Sequence, residues 1–382
     1  RLLDEYRGKG SLEKGVRIEK GKGLLRARIS DVNALPAESN KRDPDNIILA
    51  CALNEVNDGK RVVVVSRDIN LRVRCDALGV ACEGYDINQV VNDRSELYTG
   101  FERHLVDDQT IDHFYAGEKI FVDKEEKLLL PNQFVMLISN CNEKKTALAR
   151  FLAYNKPLVK AGIHKHGVWD ITPRNKEQSF AIDLLLDPTI PIVSLIGAAG
   201  CGKTLLAVAA GLEQVLDEGS QEPIYNKLVV SRPIMPMGRD IGYLPGTMEE
   251  KMAPWLAPVQ DNLKFLMGND KVLLEMYAEK GIIEIEALTY IRGRSIANAF
   301  IIIDEAQNLS VHELKTIITR VGEGTKIVLT GDIEQIDTVY LDATSNGLSY
   351  AVEKFKEHDL AGHVSLQKGE RSKVATLAAK VL

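Results

Sequence analysis

The chain has 382 residues, of which 45% are hydrophobic and 27% are charged, and its formal net charge is −6. This length allows two or three domains with separate cores, and the composition is that of a globular protein and excludes a disordered chain. The negative charge argues against a protein that simply coats nucleic acid, because such domains are usually basic.

The sequence also bears on location. No stretch approaches the length needed to cross a bilayer, and no signal peptide pattern opens the chain, so we expect no membrane partner and no secretion. An odd set of cysteines with no C-x-x-C pair predicts reduced thiols in the cytoplasm, without a disulfide frame or a zinc site. These cysteines are Cys51, Cys75, Cys82, Cys141 and Cys201.

The first 92 residues predict an α/β unit with aspartates at the ends of its elements. Asp45 lies in the first turn of a helix-like run, and the apolar run at 61–65 predicts a buried strand that ends just before Asp68. Helix N-termini and strand C-termini are where an α/β fold brings carboxylates together on metal ions. Lone aspartates at these positions are more often helix caps, so both interpretations stay open here.

Residues 93–170 carry short apolar patches separated by turn-forming and charged residues, at 119–122, 127–130 and 133–138. This pattern predicts a small, mainly β module. The module is either a nucleic-acid-binding barrel or a spacer, and the lack of an aromatic and basic pattern favours the spacer.

The most specific pattern follows the apolar run at 191–196. Residues Gly197-Ala198-Ala199-Gly200-Cys201-Gly202-Lys203-Thr204 fit G-x-x-x-x-G-K-[ST] at every constrained position, and a helix is predicted directly after them. In this arrangement backbone N–H groups cradle phosphates, the lysine faces the β and γ phosphates, and the threonine hydroxyl binds Mg²⁺. The sequence therefore predicts a site for a nucleoside triphosphate with Mg²⁺.

Two later segments, the apolar run at 300–303 and a buried-strand pattern at 326–330, predict parallel strands that lead into polar residues. The first leads into Asp304-Glu305-Ala306-Gln307, and the second into Gly331-Asp332-Ile333-Glu334-Gln335. Parallel strands present their C-terminal ends to the ligand crevice. We expect Asp304 to hold Mg²⁺ through its water shell, Glu305 to polarise the attacking water, and Gln335 to sense the γ-phosphate.

These last motifs resemble motifs two and three of superfamily-one helicases. The segments 231–233, 290–295 and 300–308 look more narrowly like the PhoH family of ATPases, and the resemblance covers about residues 170–382. It implies a RecA-like P-loop NTPase domain at 171–382 that hydrolyses ATP with Mg²⁺ and acts on single-stranded RNA.

The segment 173–178 is similar to the one with which such helicases grip adenine, and the resemblance implies base recognition by Gln178. A second interpretation makes Asn175 the N-cap of a helix and Gln178 its capping-box partner, and both can hold at once.

The resemblance also implies an arginine that completes the site from a neighbouring subunit, and such an arginine typically raises turnover about a thousandfold or more. A homo-oligomeric ring, with a hexamer as the expected form, follows from this. The candidates are Arg232, Arg292, Arg294 and Arg371.

Between the predicted strands, residues 233–246 contain three prolines and three glycines. They predict a hairpin or an extended loop. Its side chains either line a channel for single-stranded nucleic acid or pack as an ordinary hairpin, and those considered for the channel are Met235, Met237, Arg239 and Tyr243.

Beside a PhoH-like domain, Asp45 and Asp68 resemble the last two acidic positions of a PIN nuclease domain, in which carboxylates hold Mg²⁺ or Mn²⁺. The chain begins at Arg1, in what looks like the middle of such a domain, so the two earlier acidic positions have no match. We therefore expect an inactive or truncated nuclease. An antitoxin-like protein that restrains it is a separate expectation for a partner.

The fold class expected from all this is α/β, with a PIN-like unit at 1–92, the β module at 93–170 and the ATPase domain at 171–382. The leading interpretation is an RNA-acting ATPase or helicase coupled to a PIN ribonuclease. A nucleotide-dependent switch or scaffold, whose PIN-like unit only binds RNA or protein, is the alternative, and a small-molecule kinase is a third.

Overall fold

A computed structural model describes residues 2–19, 21–29, 31–36, 40, 42–66, 68–84, 89–164, 166–216, 222–233, 248–288, 295–338 and 341–367. The chain divides into two compact units, Arg1–Ile87 and Asn88–Leu382. None of the helices in these residues is long and apolar enough to cross a membrane.

The N-terminal unit is a small α/β structure. A parallel pair of strands, β3 and β4, is connected through α3, and a short antiparallel hairpin joins β1 to β2. Its elements are α1 (Leu2–Lys9), β1 (Val16–Arg17), β2 (Leu24–Leu25), α2 (Pro44–Asn57), β3 (Val63–Val65), α3 (Ile69–Ala77) and β4 (Ala81–Glu83).

The expectation of a fully buried strand at 61–65 was wrong. Only Val64 is buried, and it belongs to the core cluster of this unit, whereas Val63 and Val65 are exposed. Successive side chains of a strand point to opposite faces, so the core covers one face of β3 and leaves the other open.

The module after residue 88 is a four-stranded mixed sheet in the order β5-β6-β7-β8, with one helix against it. Of the three apolar patches, only 133–138 forms a strand, and 119–122 and 127–130 form none. The elements are β5 (Phe101–Val106), α4 (Asp108–Ala116), β6 (Phe134–Ser139), β7 (Thr146–Arg150) and β8 (Val159–Lys160).

This module is packed directly against the domain that follows it. The ring of Phe134 stacks on that of Phe180 with 4.2 Å between centroids. The Arg150 guanidinium lies 2.6 Å from the Asp187 carboxylate. A Cβ on Gly100, whose φ is +75°, would lie 1.9 Å from the carbonyl oxygen of His363. These contacts explain why residues 88–382 form one compact unit, which a loosely attached spacer would not do.

The C-terminal part is built on six parallel strands of the described chain, in the order β11-β10-β12-β13-β9-β14. The strands are β9 (Ile192–Gly197), β10 (Lys227–Arg232), β11 (Ile283–Ala287), β12 (Ala299–Ile303), β13 (Lys326–Gly331) and β14 (Ala361–Leu366). The helices are α5 (Lys176–Leu186), α6 (Lys203–Val215), α7 (Met248–Leu266), α8 (Lys271–Glu279), α9 (Val311–Ile318) and α10 (Gly347–Phe355).

The strands predicted at 191–196, 300–303 and 326–330 are β9, β12 and β13, which are neighbours in this sheet. Alternate residues of β12 enter two different cores. Phe300 and Ile302 pack with residues of α5 and α6, and Ile301 and Ile303 with residues of α9 and α10. Both faces of the sheet are therefore covered, which accounts for the continuous apolar runs.

Helix α6 continues through Gly211, a residue of low helix propensity, and ends at Val215. A Cβ on Gly211 would lie 2.7 Å from Leu228 and 3.1 Å from Phe300. The glycine therefore lets α6 lie close to the sheet, and burial of its neighbours outweighs its low helix propensity.

Lys326, at the start of β13, is fully buried. Its ammonium group donates hydrogen bonds to the carbonyl oxygens of Leu184 and Leu185, both at 2.9 Å, and of Asp187, at 2.7 Å. Burial lowers the pKa of Lys326 to about 7, against the raising effect of Asp187. Because α5 ends at Leu186, this side chain caps the last carbonyls of the helix.

Replacing Lys326 with methionine should lower the free energy of unfolding by about 2 kcal/mol, because buried carbonyl oxygens lose their donor. Urea unfolding can be followed by tryptophan fluorescence, since Trp169 and Trp255 both lie in the C-terminal unit. The exposed Lys144 provides the control, and Lys144→Met should leave stability nearly unchanged. Equal midpoints for both variants would contradict the capping role.

Candidate functional site

The glycine loop leaves β9 at Gly197 and enters α6 at Lys203. Gly200 and Gly202 have φ angles of +83° and +92°, in the left-handed region that favours glycine. Gly202 is the N-cap of α6, and no side chain caps this helix end. Ala198 and Ala199 lie half-buried along the loop. A helix N-terminus without a side-chain cap is suited to binding an anion.

Lys203, the first residue of α6, is buried. Its ammonium group donates hydrogen bonds to the carbonyl oxygens of Gly197, at 2.6 Å, and Ala198, at 3.0 Å. The Cys201 thiol lies 3.8 Å from the same nitrogen. Burial raises the pKa of this thiol, so Cys201 is a neutral packing group beside the lysine.

Two hydroxyl groups meet on Asp304, which follows β12 and is buried. Thr204 donates to its Oδ1 at 2.8 Å, and Thr330, on β13, donates to the same oxygen at 2.7 Å. A carboxylate and a hydroxyl beside a phosphate cradle are the hard oxygen ligands that Mg²⁺ prefers. Thr204 and Asp304 therefore fit the metal expected from the sequence. The role of Thr330 was missed, although a hydroxyl at the end of an apolar strand is a usable signal.

Glu305 is held on both carboxylate oxygens. Arg232 donates to Oε1 at 3.0 Å, and Gln307 donates to Oε2 at 2.6 Å. The Glu305 backbone has a φ of +54°, which is uncommon for a residue with a side chain. The sheet therefore brings the predicted base to the crevice, but with its side chain already bonded.

Gln307 links the base to the loop after β13. It is fully buried, and its Nε2 also donates to the backbone carbonyl of Gln335 at 2.8 Å. Its Oε1 accepts from the backbone N–H of Asp332 at 3.2 Å. Gln335 itself is exposed. The sequence placed Gln335 near the site but did not identify Gln307 as the connection.

Gln178 braces the glycine loop. Its amide donates to the carbonyl of Cys201 at 3.1 Å and accepts from the backbone N–H of Arg174 at 2.7 Å. Asn175 caps α5 by accepting from the N–H of Gln178, at 2.9 Å. The N-cap predicted at Asn175 is present, and the Gln178 side chain also reaches back to the N–H of Arg174, one residue before the cap. Contact between Gln178 and adenine stays a proposal.

Of the candidate arginines, Arg232 contacts Glu305 of its own chain. The other three, Arg292, Arg294 and Arg371, lie outside the described residues. The same holds for the loop side chains considered for a nucleic-acid channel, which are Met235, Met237, Arg239 and Tyr243.

A cavity of about 600 Å³ lies beside the glycine loop. Its lining includes Gly197 and Ala198, the loop at 332–334, and residues between 93 and 99. Arg94 forms an ion pair with Glu334 there. Residues 93–99 belong to the predicted β module, and their place at the site could not be predicted because no local pattern marks a contact between residues so far apart in the chain.

In the N-terminal unit, the aspartates lie at helix starts. Asp68 caps α3, and Asp43 caps α2 by accepting from the N–H of Asp45 at 3.1 Å. The Arg74 guanidinium lies 2.9 Å from Asp43 and 3.9 Å from Asp45. Its hydrogen bond lowers the pKa of Asp43, and the same bond raises the pKa of Arg74, with smaller contributions from Asp45 and Asp68.

Within the described ranges, no three histidine, cysteine or acidic side chains are grouped so that they could hold a metal ion. Asp45 lies 3.9 Å from the cation Arg74, and Asp68 caps α3. The present residues do not by themselves fit a divalent metal, and a metal role for the two aspartates stays a proposal.

Comparison with known proteins gives two family matches, PhoH-like protein at residues 170–381 and PIN domain at residues 6–86. Protein PhoH2 of Bacillus subtilis (strain 168) is 45% identical over 393 residues, covering 100% of this chain and 88% of its own length. Protein PhoH2 of Mycolicibacterium smegmatis is 38% identical over 387 residues, covering 100% of this chain and 85% of its own.

Among solved structures, the Pif1 helicase from Candida albicans is 16% identical, with a TM-score of 0.29. The match covers 55% of this chain and 43% of that helicase, so this chain spans less than half of the helicase's length.

Proposed function

Since this chain belongs to the PhoH-like protein family and carries an N-terminal PIN domain, we propose that it is an ATPase that hydrolyses ATP with Mg²⁺ and acts on single-stranded RNA. The observation that carries the ATPase part is the meeting of Thr204 and Thr330 on one oxygen of Asp304, next to the glycine loop. This arrangement joins the loop to the end of β12, where the chemistry of phosphoryl transfer needs its metal ligands.

In this proposal each group of the chain has one task. The N–H groups at the start of α6 and the Lys203 ammonium hold the phosphates, and Thr204 and Asp304 hold Mg²⁺, which neutralises charge on the phosphate oxygens. Glu305 accepts a proton from the attacking water, and Gln335 responds to the γ-phosphate. Gln178 orients the loop and contacts adenine.

The action on RNA is supported by the motifs at 304–307 and 331–335, which resemble those of superfamily-one helicases. The chain carries a single RecA-like sheet in its described part. We propose that a homo-oligomeric ring, a hexamer, completes the site with an arginine from a neighbouring subunit. The PIN domain would receive the strand in the cytoplasm, where Asp45 and Asp68 would serve a ribonuclease as metal ligands only together with further carboxylates, and an antitoxin-like protein would be a restraining partner.

Single-stranded RNA should raise the rate of ATP hydrolysis about tenfold, because a strand that binds the active conformation more tightly shifts the enzyme toward it. The measurement is steady-state phosphate release at saturating ATP, with and without an unstructured RNA of 30 to 40 nucleotides, and with blunt duplex RNA as the control. Hydrolysis that does not respond to the single strand would favour a nucleotide-dependent switch or scaffold.

A further inference from the structure

The ion pair between Arg232 and Glu305 has no place in the tasks just described. Arg232 is the last residue of β10, and Glu305 follows the neighbouring strand β12 by two residues. Their side chains are 22% and 31% exposed, so the contact is shielded from most but not all solvent. An arginine paired with the predicted base is a specific arrangement that the sequence motifs do not explain.

The pair is fixed by the register of the two strands. Ser231 lies opposite Ile303 in the parallel sheet, and the carbonyl of Ser231 accepts a hydrogen bond from the N–H of Asp304 at 2.8 Å. This bond joins the strand ends immediately before both charged side chains. The register of the sheet therefore places the backbones of Arg232 and Glu305 side by side, so that their side chains lie within reach of each other.

The contact has a chemical consequence for Glu305. An oxygen that accepts a hydrogen bond from a guanidinium is poorly placed to take a proton from water, and the second oxygen is bonded to Gln307. In the conformation described here neither carboxylate oxygen is free of a protein donor. Because each oxygen keeps a second lone pair, these bonds restrain Glu305 without blocking it, and leaving Arg232 would free Oε1 and let the carboxylate turn toward a water.

We propose that Arg232 is a positioning residue that restrains Glu305 in a resting state, so that breaking this ion pair is a step in the activation of hydrolysis. The proposal rests on the proposed ATPase function and adds its regulation. It also places Arg232 at the ATPase site of its own chain, so the arginine supplied by a neighbouring subunit must be a different residue.

Gln307 gives the restraint a connection to the rest of the site. Its amide nitrogen is shared between Glu305 and the carbonyl of Gln335, and its amide oxygen binds the N–H of Asp332. A shift of the loop at 332–335 therefore changes the bonding of Glu305 directly. Ligand binding at that loop is the kind of event that can release the base.

The test compares hydrolysis by wild-type protein and Arg232→Gln, without RNA and with it. We expect the variant to have a kcat about fivefold higher in the absence of RNA, an unchanged KM for ATP, and a smaller stimulation by RNA. Arg232→Lys keeps a cation beside Glu305, so its kcat without RNA should lie between those of the wild type and Arg232→Gln. If Arg232 had only a structural role, its replacement would not raise kcat.

Lys227→Gln is the matched control. Lys227 lies on the same strand and forms an equally shielded ion pair with Glu284 at 2.7 Å, but at the other end of β10. This variant should keep wild-type rates. Binding of a fluorescent ATP analogue to every variant shows whether its site is folded.

Three results separate the outcomes. An Arg232→Gln variant that binds nucleotide but hydrolyses ATP no faster than wild type, or more slowly, overturns the restraint. If Arg232→Gln fails to bind nucleotide, an unchanged or reduced kcat in Arg232→Lys overturns it as well. If neither wild type nor any variant exceeds the background of Lys203→Ala, the ATPase proposal itself is wrong.

Discussion

Replacing Glu305 with glutamine is expected to slow ATP hydrolysis by about a thousandfold while leaving ATP affinity close to that of the wild type. The amide has the size of the carboxylate but cannot take a proton from water. Glu305 contacts neither the glycine loop nor Asp304 through any hydrogen bond described above, so its replacement leaves the groups proposed to hold the phosphates in place. Single-turnover phosphate release measures the first effect, and titration with a fluorescent ATP analogue measures the second.

Glu357→Gln serves as the control, because Glu357 is an exposed acidic residue at the surface near the end of α10. It should behave as the wild type in both measurements. A Glu305→Gln variant that keeps more than a tenth of the wild-type rate would contradict its role as the general base. A variant that loses affinity and rate in equal proportion would assign Glu305 to binding instead.

Replacing Lys203 with alanine is expected to weaken ATP binding by about a hundredfold and to reduce hydrolysis below detection, because a buried site loses the cation that faces the phosphates. The two loop carbonyls that accept hydrogen bonds from Lys203 also lose their donor. Isothermal titration with ATP and Mg²⁺ measures the affinity.

Lys354→Ala removes a lysine of the exposed surface, where its ammonium lies over the ring of Tyr350, and should change neither quantity. Wild-type affinity in Lys203→Ala would show that the glycine loop is not where the triphosphate binds.

The ATPase part of the fold could be predicted because its signals are local. Strand β12 is apolar throughout, and β9 and β13 are built around Ile, Val and Leu, as expected of strands covered on both faces. A polar residue directly after such a strand then lies at the ligand edge of the sheet. Asp304, Glu305 and the glycine loop could therefore be placed at one edge of the sheet from the sequence.

The contacts that the sequence could not predict join residues far apart in the chain. Arg232 and Glu305 are 73 positions apart, and no periodicity or spacing pairs them. The bond from Gln307 to Gln335 and the cavity wall at 93–99 belong to the same class. These contacts follow from the strand order β10-β12-β13-β9, and the order of the strands along the chain does not determine that arrangement.

The N-terminal unit shows the limit of local patterns for ligands. Asp45 and Asp68 lie at the element ends where the sequence placed them, but aspartates at such ends also cap helices, and here Asp43 caps α2 and Asp68 caps α3. The structure adds Arg74, which approaches Asp43 and Asp45 and supplies a positive charge among the carboxylates. The position of an aspartate in a helix or strand thus predicts where the residue lies in the fold. What its carboxylate binds depends on the side chains packed around it.

The central claim is that this chain hydrolyses ATP at the glycine loop with Mg²⁺. The most direct test is phosphate release from ATP by the wild-type chain and by Lys203→Ala, measured in parallel with Mg²⁺ and with excess EDTA. We predict turnover by the wild type that requires Mg²⁺ and is absent in the variant. The account would be contradicted if the wild type released phosphate no faster than Lys203→Ala, or if its phosphate release persisted in EDTA.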